Sequence, residues 1–280
     1  AILSQSNVKR ASGFEHYTPW ALSYGLQALS EHLLTSPHDP RAATIRDVCA
    51  GLIKRLGIHQ CLDGGWGYLS LDEVPTFQPS FTSMSFTTAT CLIALARAKD
   101  VGMKVPAKMV ERAASSIARC ETPAKAFTYG EIWRKTPLGF VNNIKGAAAR
   151  GPNCLEALAL YGRELKPERL MHALNALLID HTRFQIAGLR RPIPHESHYG
   201  VSGYFYLFGH YYASMSMLRL SAQDQNRYGV LLQKAVLLCR QPDGSFWDYP
   251  LYSYHKPYGT AYAILSLSTL SPEMDVQSKE

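Results

Sequence analysis

The chain has 280 residues, 46% of them hydrophobic and 18% charged, with a formal net charge of +7, so it is long enough and apolar enough to bury one large core. The basic residues are dispersed along the chain, not gathered in a block, which speaks against nucleic acid as a partner. The most apolar run, 203–218, contains Tyr204, Tyr206, His210, Tyr211, Tyr212 and two serines, the mark of an interior helix and not of a membrane span.

Residues 1–12 show no periodicity and are expected to form a flexible arm. The sequence starts at Ala1 without Met, which suits removal of an initiator Met or of a signal peptide and leans the expectation towards a periplasmic or secreted protein. Residues 17–34 are expected to be helical, with Pro19 in the first turn and a mostly uncharged body. Pro37 and Pro40 end that helix. Ile45, Val48, Cys49, Leu52, Ile53 and Leu56 then follow the i, i+3, i+4 rule, which predicts a surface helix burying one face.

After it comes Gln60-Cys61-Leu62-Asp63-Gly64-Gly65-Trp66-Gly67-Tyr68, echoed later by Gln241-Pro242-Asp243-Gly244-Ser245-Phe246-Trp247-Asp248-Tyr249. Gly accepts a positive φ without a Cβ penalty and Asp can bond its own downstream amide, so each copy reads as a turn closing an amphipathic helix. Residues 69–84 make a polar connection with two prolines, and a weaker turn is expected at Tyr129-Gly130.

The rest alternates. Residues 86–98 are apolar nearly all round and predict an inner helix; 106–117, with Met109, Val110, Ala113 and Ile117 on one face, predict an outer one. The pattern continues through inner 152–161, outer 167–178, an extended stretch 182–198 forced by Pro192 and Pro194, inner 199–220, outer 223–239 and inner 258–270. A motif recurring between two kinds of helix at roughly 60-residue spacing marks a helical repeat protein. The expected fold is all-α, an α/α toroid of inner and outer helices in one domain over 13–270, with a polar tail at 271–280. The five inner and four outer helices expected do not quite close the ring: either a flanking segment is missing from this chain, or the ring is open and a partner protein covers the gap.

Cys61, Cys120 and Cys239 each end an amphipathic helix, whereas Cys91 and Cys154 sit in apolar ones. Equivalent places in different repeats are too far apart to bridge, so the cysteines read as small buried hydrophobes.

The Gln-x-x-Asp-Gly-x-Trp turns and threonine-rich inner-helix starts resemble the repeats of squalene and other terpene cyclases and of protein prenyltransferase β subunits. Pro194–His198 and Gly209–Tyr212 are similar to segments of uncharacterised bacterial prenyltransferase-like repeat proteins. The resemblance covers about residues 40–270 and implies a central cavity that binds, and in those enzymes transforms, a hydrophobic small molecule. Their catalytic parts do not carry over: the Asp-x-Asp-Asp acid is absent, and Tyr258-Gly259-Thr260 stands where the resemblance implies a Tyr-His-Thr zinc ligand. The Cys-Gly-Glu-Gln thioester of another toroid family is also missing. Sharing the scaffold is not evidence of sharing the reaction.

His195-Glu196-Ser197-His198, followed by His210, Asp248 and His255, is the best candidate for a catalytic group. Imidazoles plus a carboxylate suit a divalent transition metal, with His195, His198 and His210 as ligands, or a general acid and base pair. The same histidines equally suit bonding to backbone carbonyls and core packing. Tyrosine crowds the last third of the chain. With Trp66, Tyr68, Tyr206, Tyr211, Trp247 and Tyr252 as substrate-binding candidates, aromatic walls would suit an isoprenoid or stack on a glycan; core packing is the alternative. Asp63 and Asp243 read as turn formers, while no turn requires Asp248. Arg150, Arg190 and Arg191 could hold an anion such as a diphosphate. Three functions stay open: a toroid holding a hydrophobic small molecule, with or without chemistry; a non-catalytic interaction or scaffold subunit; and a polysaccharide lyase or hydrolase. A pocket of titratable groups would favour an enzyme, an exposed apolar strip a scaffold.

Overall fold

A computed structural model describes residues 15–16, 18–67, 69–70, 83–131, 140–183, 186, 205–249 and 255–270. The protein is all-α. Its main helices are α1 (Thr18–Thr35), α2 (Ala42–Ile58), α3 (Ser85–Asp100), α4 (Ala107–Arg119), α5 (Gly151–Leu160), α6 (Pro167–Asn175), α7 (Tyr206–Met217), α8 (Ala222–Leu237) and α9 (His255–Ser268). They come in the order expected, and more and less fully buried helices, called inner and outer below, alternate from α1 to α8. Two-residue strands β1 (Glu15–His16) and β2 (Leu69–Ser70) pair antiparallel. The chain divides into two compact units, one holding Ala1–Cys120, Tyr129–Thr136 and Ala157–Arg163, the other Glu121–Thr128, Pro137–Glu156 and Glu164–Glu280.

In the first unit α1 packs on α2 and α3, and α3 on α4. Every residue of α3 from Ser85 to Ala96 is buried. Two of its threonines are satisfied by donating back along the helix, Thr88 to Met84 O at 2.8 Å and Thr90 to Phe86 O at 3.0 Å, whereas the buried Thr87 hydroxyl has no hydrogen-bond partner among the described residues. Helix α4 buries only one face, Met109, Val110, Ala113, Ala114, Ser116 and Ile117, as its 3.6-residue period requires.

In the second unit α7 packs on α8 and α9, and almost its whole length is buried. Gly209 is required there: a Cβ would fall 2.7 Å from the Ala149 Cβ. Arg219 grips the buried Glu156 carboxylate with two bonds, at 2.7 and 2.9 Å. Helix α6 continues as a π-helical turn, Ala176–Asp180. An extended stretch is expected from 182, but Thr182, Arg183 and Ile186 are helical, because a proline restrains only its own φ and the residue before it; 187–198 lie outside the described residues. All six cysteines are buried, in keeping with their reading as small hydrophobes.

Three turns of one geometry precede inner helices. Cys61 N bonds Gly65 O and Gly64 N bonds Cys61 O; Thr122 N bonds Ala126 O and Lys125 N bonds Thr122 O; Gln241 N bonds Ser245 O and Gly244 N bonds Gln241 O. The fourth residue has positive φ each time: Gly64 (103°), Lys125 (62°) and Gly244 (83°). Asp63 and Asp243 do form the turns, accepting the amides of Gly65 and Ser245 at 3.2 and 3.1 Å. The weaker turn therefore lies at Thr122–Phe127 and not at Tyr129-Gly130, where Gly130 instead bridges to Met84. It was hidden because lysine takes the place of glycine.

Candidate functional site

The buried titratable side chains of the sequence-predicted site in the second unit lie on α7, on α9 and on the segment that joins α8 to α9. Tyr206 and His210 lie one turn apart on α7, their rings stacked at 4.3 Å. His210 Nδ1 is 2.7 Å from Tyr206 O. A carbonyl only accepts, so Nδ1 carries the hydrogen and Nε2 holds a lone pair. That Nε2 is buried, without a hydrogen-bond partner among the described residues. Burial pushes the imidazole pKa down to about 4, so it is neutral at pH 7. The Tyr206 hydroxyl donates to Ala235 O of α8 at 3.1 Å, and burial pushes its phenol well above the ordinary range.

Asp248 is wholly buried. Its Oδ2 accepts the amide of Leu207 at 3.0 Å, so it caps the first turn of α7 from another part of the chain, where the helix leaves amides unpaired. Burial pushes its carboxyl up to about 7, against the pull of the amides of Leu207, Asp248 and Tyr249. Among the described residues Oδ1 has no hydrogen-bond partner. This cap is the structural demand on Asp248 that the local sequence does not reveal.

His255 opens α9. Its Nδ1 shares a hydrogen bond of 2.8 Å with the Tyr258 hydroxyl, and its ring lies 5.1 Å from Tyr249 and 4.9 Å from Tyr258. Burial lowers its pKa to about 4. From Tyr258 an unbroken run of rings crosses from α9 to α7: Tyr258 to Tyr262 at 5.4 Å, Tyr262 to Tyr211 at 5.2 Å, Tyr211 to Tyr212 at 4.8 Å and Tyr212 to Phe208 at 4.8 Å. The structure thus joins Tyr206 with His210, and Tyr211 with His255.

Trp247 is half-buried, with Lys256 Nζ 5.9 Å from its ring centre. The turn equivalent of Trp66 is Phe246, whose amide bonds Thr260 Oγ1 as that of Trp66 bonds Thr88 Oγ1. Trp66 belongs to the first unit; it is wholly buried, and its indole N–H donates to Leu56 O at 2.7 Å. Arg150 is buried with its guanidinium on the carbonyls of Gly146, Phe127 and Val141, an arrangement that braces a loop. His195, His198, Tyr68, Tyr252, Arg190 and Arg191 lie outside the described residues. Among the described residues, no three His, Cys, Asp or Glu side chains stand together as metal ligands.

One surface feature was not singled out from the sequence. Helix α9, although inner in composition, leaves Ala261, Ile264, Leu265 and Ser268 exposed in an i, i+3, i+4, i+7 stripe, Ile264 at 58% and Leu265 at 46%. No family model matches the chain, and the comparison with curated proteins finds no match.

Proposed function

We propose that the chain is an interaction module built on the plan of the terpene cyclase and prenyltransferase repeats, an open α/α toroid whose last inner helix docks on another polypeptide. The observation that carries this reading is the stripe on α9. An uncharged helical face with two large aliphatic side chains half in water is costly, at roughly 25 cal/mol per Å² of apolar surface, and contiguous exposed patches mark docking sites. His210, Asp248 and His255 each hold another part of the fold, through Tyr206 O, the Leu207 amide and the Tyr258 hydroxyl, which favours a structural over a catalytic role. The test is binding of an apolar-surface dye, compared between the wild-type chain and Ile264→Asp/Leu265→Asp at matched melting temperature. Dye signal should drop in the variant; an unchanged signal counts against the module.

A second reading, a hydrophobic small molecule held against α7 and α9, is favoured by the ring series from His255 to Phe208 and by the bare lone pair on His210 Nε2. A hydroxylated isoprenoid would meet both apolar rings and a hydrogen-bond acceptor there. Native mass spectrometry of the purified protein, with melting scans in farnesol and in squalene, tests it. No bound mass and no shift in either would remove it.

A further inference from the structure

The ring series of the second unit ends on a base. Tyr212, Tyr211, Tyr262 and Tyr258 follow one another with ring centroids 4.8, 5.2 and 5.4 Å apart, and the last hydroxyl shares its 2.8 Å hydrogen bond with His255 Nδ1. A phenol is a much stronger acid than the N–H of a neutral imidazole, so Tyr258 donates and Nδ1 accepts. Burial lowers the pKa of His255 to about 4, which keeps the imidazole neutral at pH 7 and able to take a proton.

The series is graded in depth. Tyr212 is wholly buried, Tyr211 and Tyr262 are buried, and Tyr258 is half-buried. Tyrosine is among the few side chains that can lose one electron, and it does so far more readily when its proton has a base within hydrogen-bond reach, because the oxidised phenol is a very strong acid. Phe208, 4.8 Å beyond Tyr212, lacks a phenol and ends the run of such rings. Tyr206 differs from Tyr258 in its acceptor: its hydroxyl donates to the carbonyl of Ala235, which is no base.

We propose that Tyr212, Tyr211, Tyr262 and Tyr258 form a one-electron relay that ends on the Tyr258–His255 pair. A one-electron oxidant of the peroxyl-radical or carbonate-radical class takes an electron from a ring of the series and is itself reduced. The vacancy passes from ring to ring and settles on Tyr258. There the Oη–H bond breaks and the proton crosses to His255 Nδ1, leaving a neutral phenoxyl radical and an imidazolium. A thiolate reductant returns the electron at this half-buried ring, becoming a thiyl radical, and the proton goes back to Oη. The relay goes beyond both readings above and depends on neither, since the same rings conduct whether they serve as packing or as the wall of a ligand site.

The six native cysteines are buried, so a ruthenium tris(bipyridine) photo-oxidant can be attached selectively at Ser268→Cys, an exposed position on α9. Tyr258 lies about 15 Å from that position along the helix, with Tyr262 between them. Flash-quench oxidation of the labelled full chain is read by the decay of ruthenium(III) and by the optical and paramagnetic signals of the neutral tyrosyl radical. The expected radical is abolished by Tyr258→Phe and forms at least tenfold more slowly in Tyr262→Phe, where one long transfer replaces two short ones. It forms more slowly in D2O, because a proton moves with the electron. His255→Gln keeps an acceptor for the hydroxyl but not a base; it should slow the radical at least tenfold and remove the solvent isotope effect, which a merely structural bond would not do. Circular dichroism melts establish that each variant is folded. Absence of the radical in the labelled parent overturns the relay, as does an undiminished yield in Tyr258→Phe or an unaltered rate in Tyr262→Phe. Behaviour of His255→Gln identical to that of the parent overturns the pair as its terminus.

Discussion

The hydroxyl of Thr88 accepts the main-chain amide of Trp66 at 2.8 Å, and so fastens an inner helix to the turn that precedes it. Thr260 repeats the arrangement with Phe246 at 3.0 Å. Thr88→Val keeps the shape but strands a buried amide, at a cost of about 1–3 kcal/mol. Thr260→Val should cost less, because that site is half-buried. Urea denaturation of the two variants checks the order; equal losses would show that burial does not set the cost.

Gly64 and Gly244 share a positive φ but not their surroundings. Alanine at either meets a left-handed penalty of roughly 1–2 kcal/mol. At Gly64 the new Cβ also meets the Arg112 carbonyl at 2.7 Å, whereas at Gly244 it meets open space. Gly64→Ala is therefore expected to lower the melting temperature well beyond Gly244→Ala, and thermal scans decide it.

Glu131 is buried between two donors: Arg119 Nη2 at 2.6 Å and Ser116 Oγ at 3.0 Å both bond Oε2. Glu131→Ala should cost about 2 kcal/mol, below the 3–5 expected for breaking a fully buried pair, because Arg119 keeps partial access to water. Adding Arg119→Ala should recover part of that loss, which a double-mutant cycle in denaturant measures.

Titration in the second unit has two opposing signs. His210, lowered to about 4 from 6.5, contributes stability that is complete above 6.5 and is lost as pH falls towards 4. Asp248, raised from 3.8 to about 7, contributes stability that is complete below 3.8 and is lost as pH rises towards 7. Each changes the slope by about 1.4 kcal/mol per pH unit, and over 4–6.5 the two largely cancel. Asp248→Asn keeps an oxygen for the Leu207 amide but removes the charge, so stability between pH 4 and 7 should rise more steeply with pH than in the wild type. His210→Phe should tilt the curve the other way. Stability curves across pH 4 to 8 that are superimposable for all three proteins would contradict both shifts.

The sequence by itself determined the main helices of the described residues and the alternation from α1 to α8, because periodicity is local: an all-round apolar run such as 86–98 has one stable environment, and a one-sided run such as 106–117 has another. It also determined two of the three turns, since Asp-Gly states its backbone geometry in the residues themselves. The turn at Thr122–Phe127 escaped, because its positive φ is held by Lys125 through tertiary bonds such as that from Arg169 to the Lys125 carbonyl, which propensity does not register. Only the tertiary structure decided that Asp248 caps α7, that Trp66 is occupied by Leu56, and that α9 stands half in water. Composition cannot separate Ala261, Ile264, Leu265 and Ser268 from Ala89, Leu92, Ile93 and Ala96, the buried residues in the same places after Thr88 on α3; whether an apolar face is core or docking surface depends on what packs against it, and that is a property of the assembled helices.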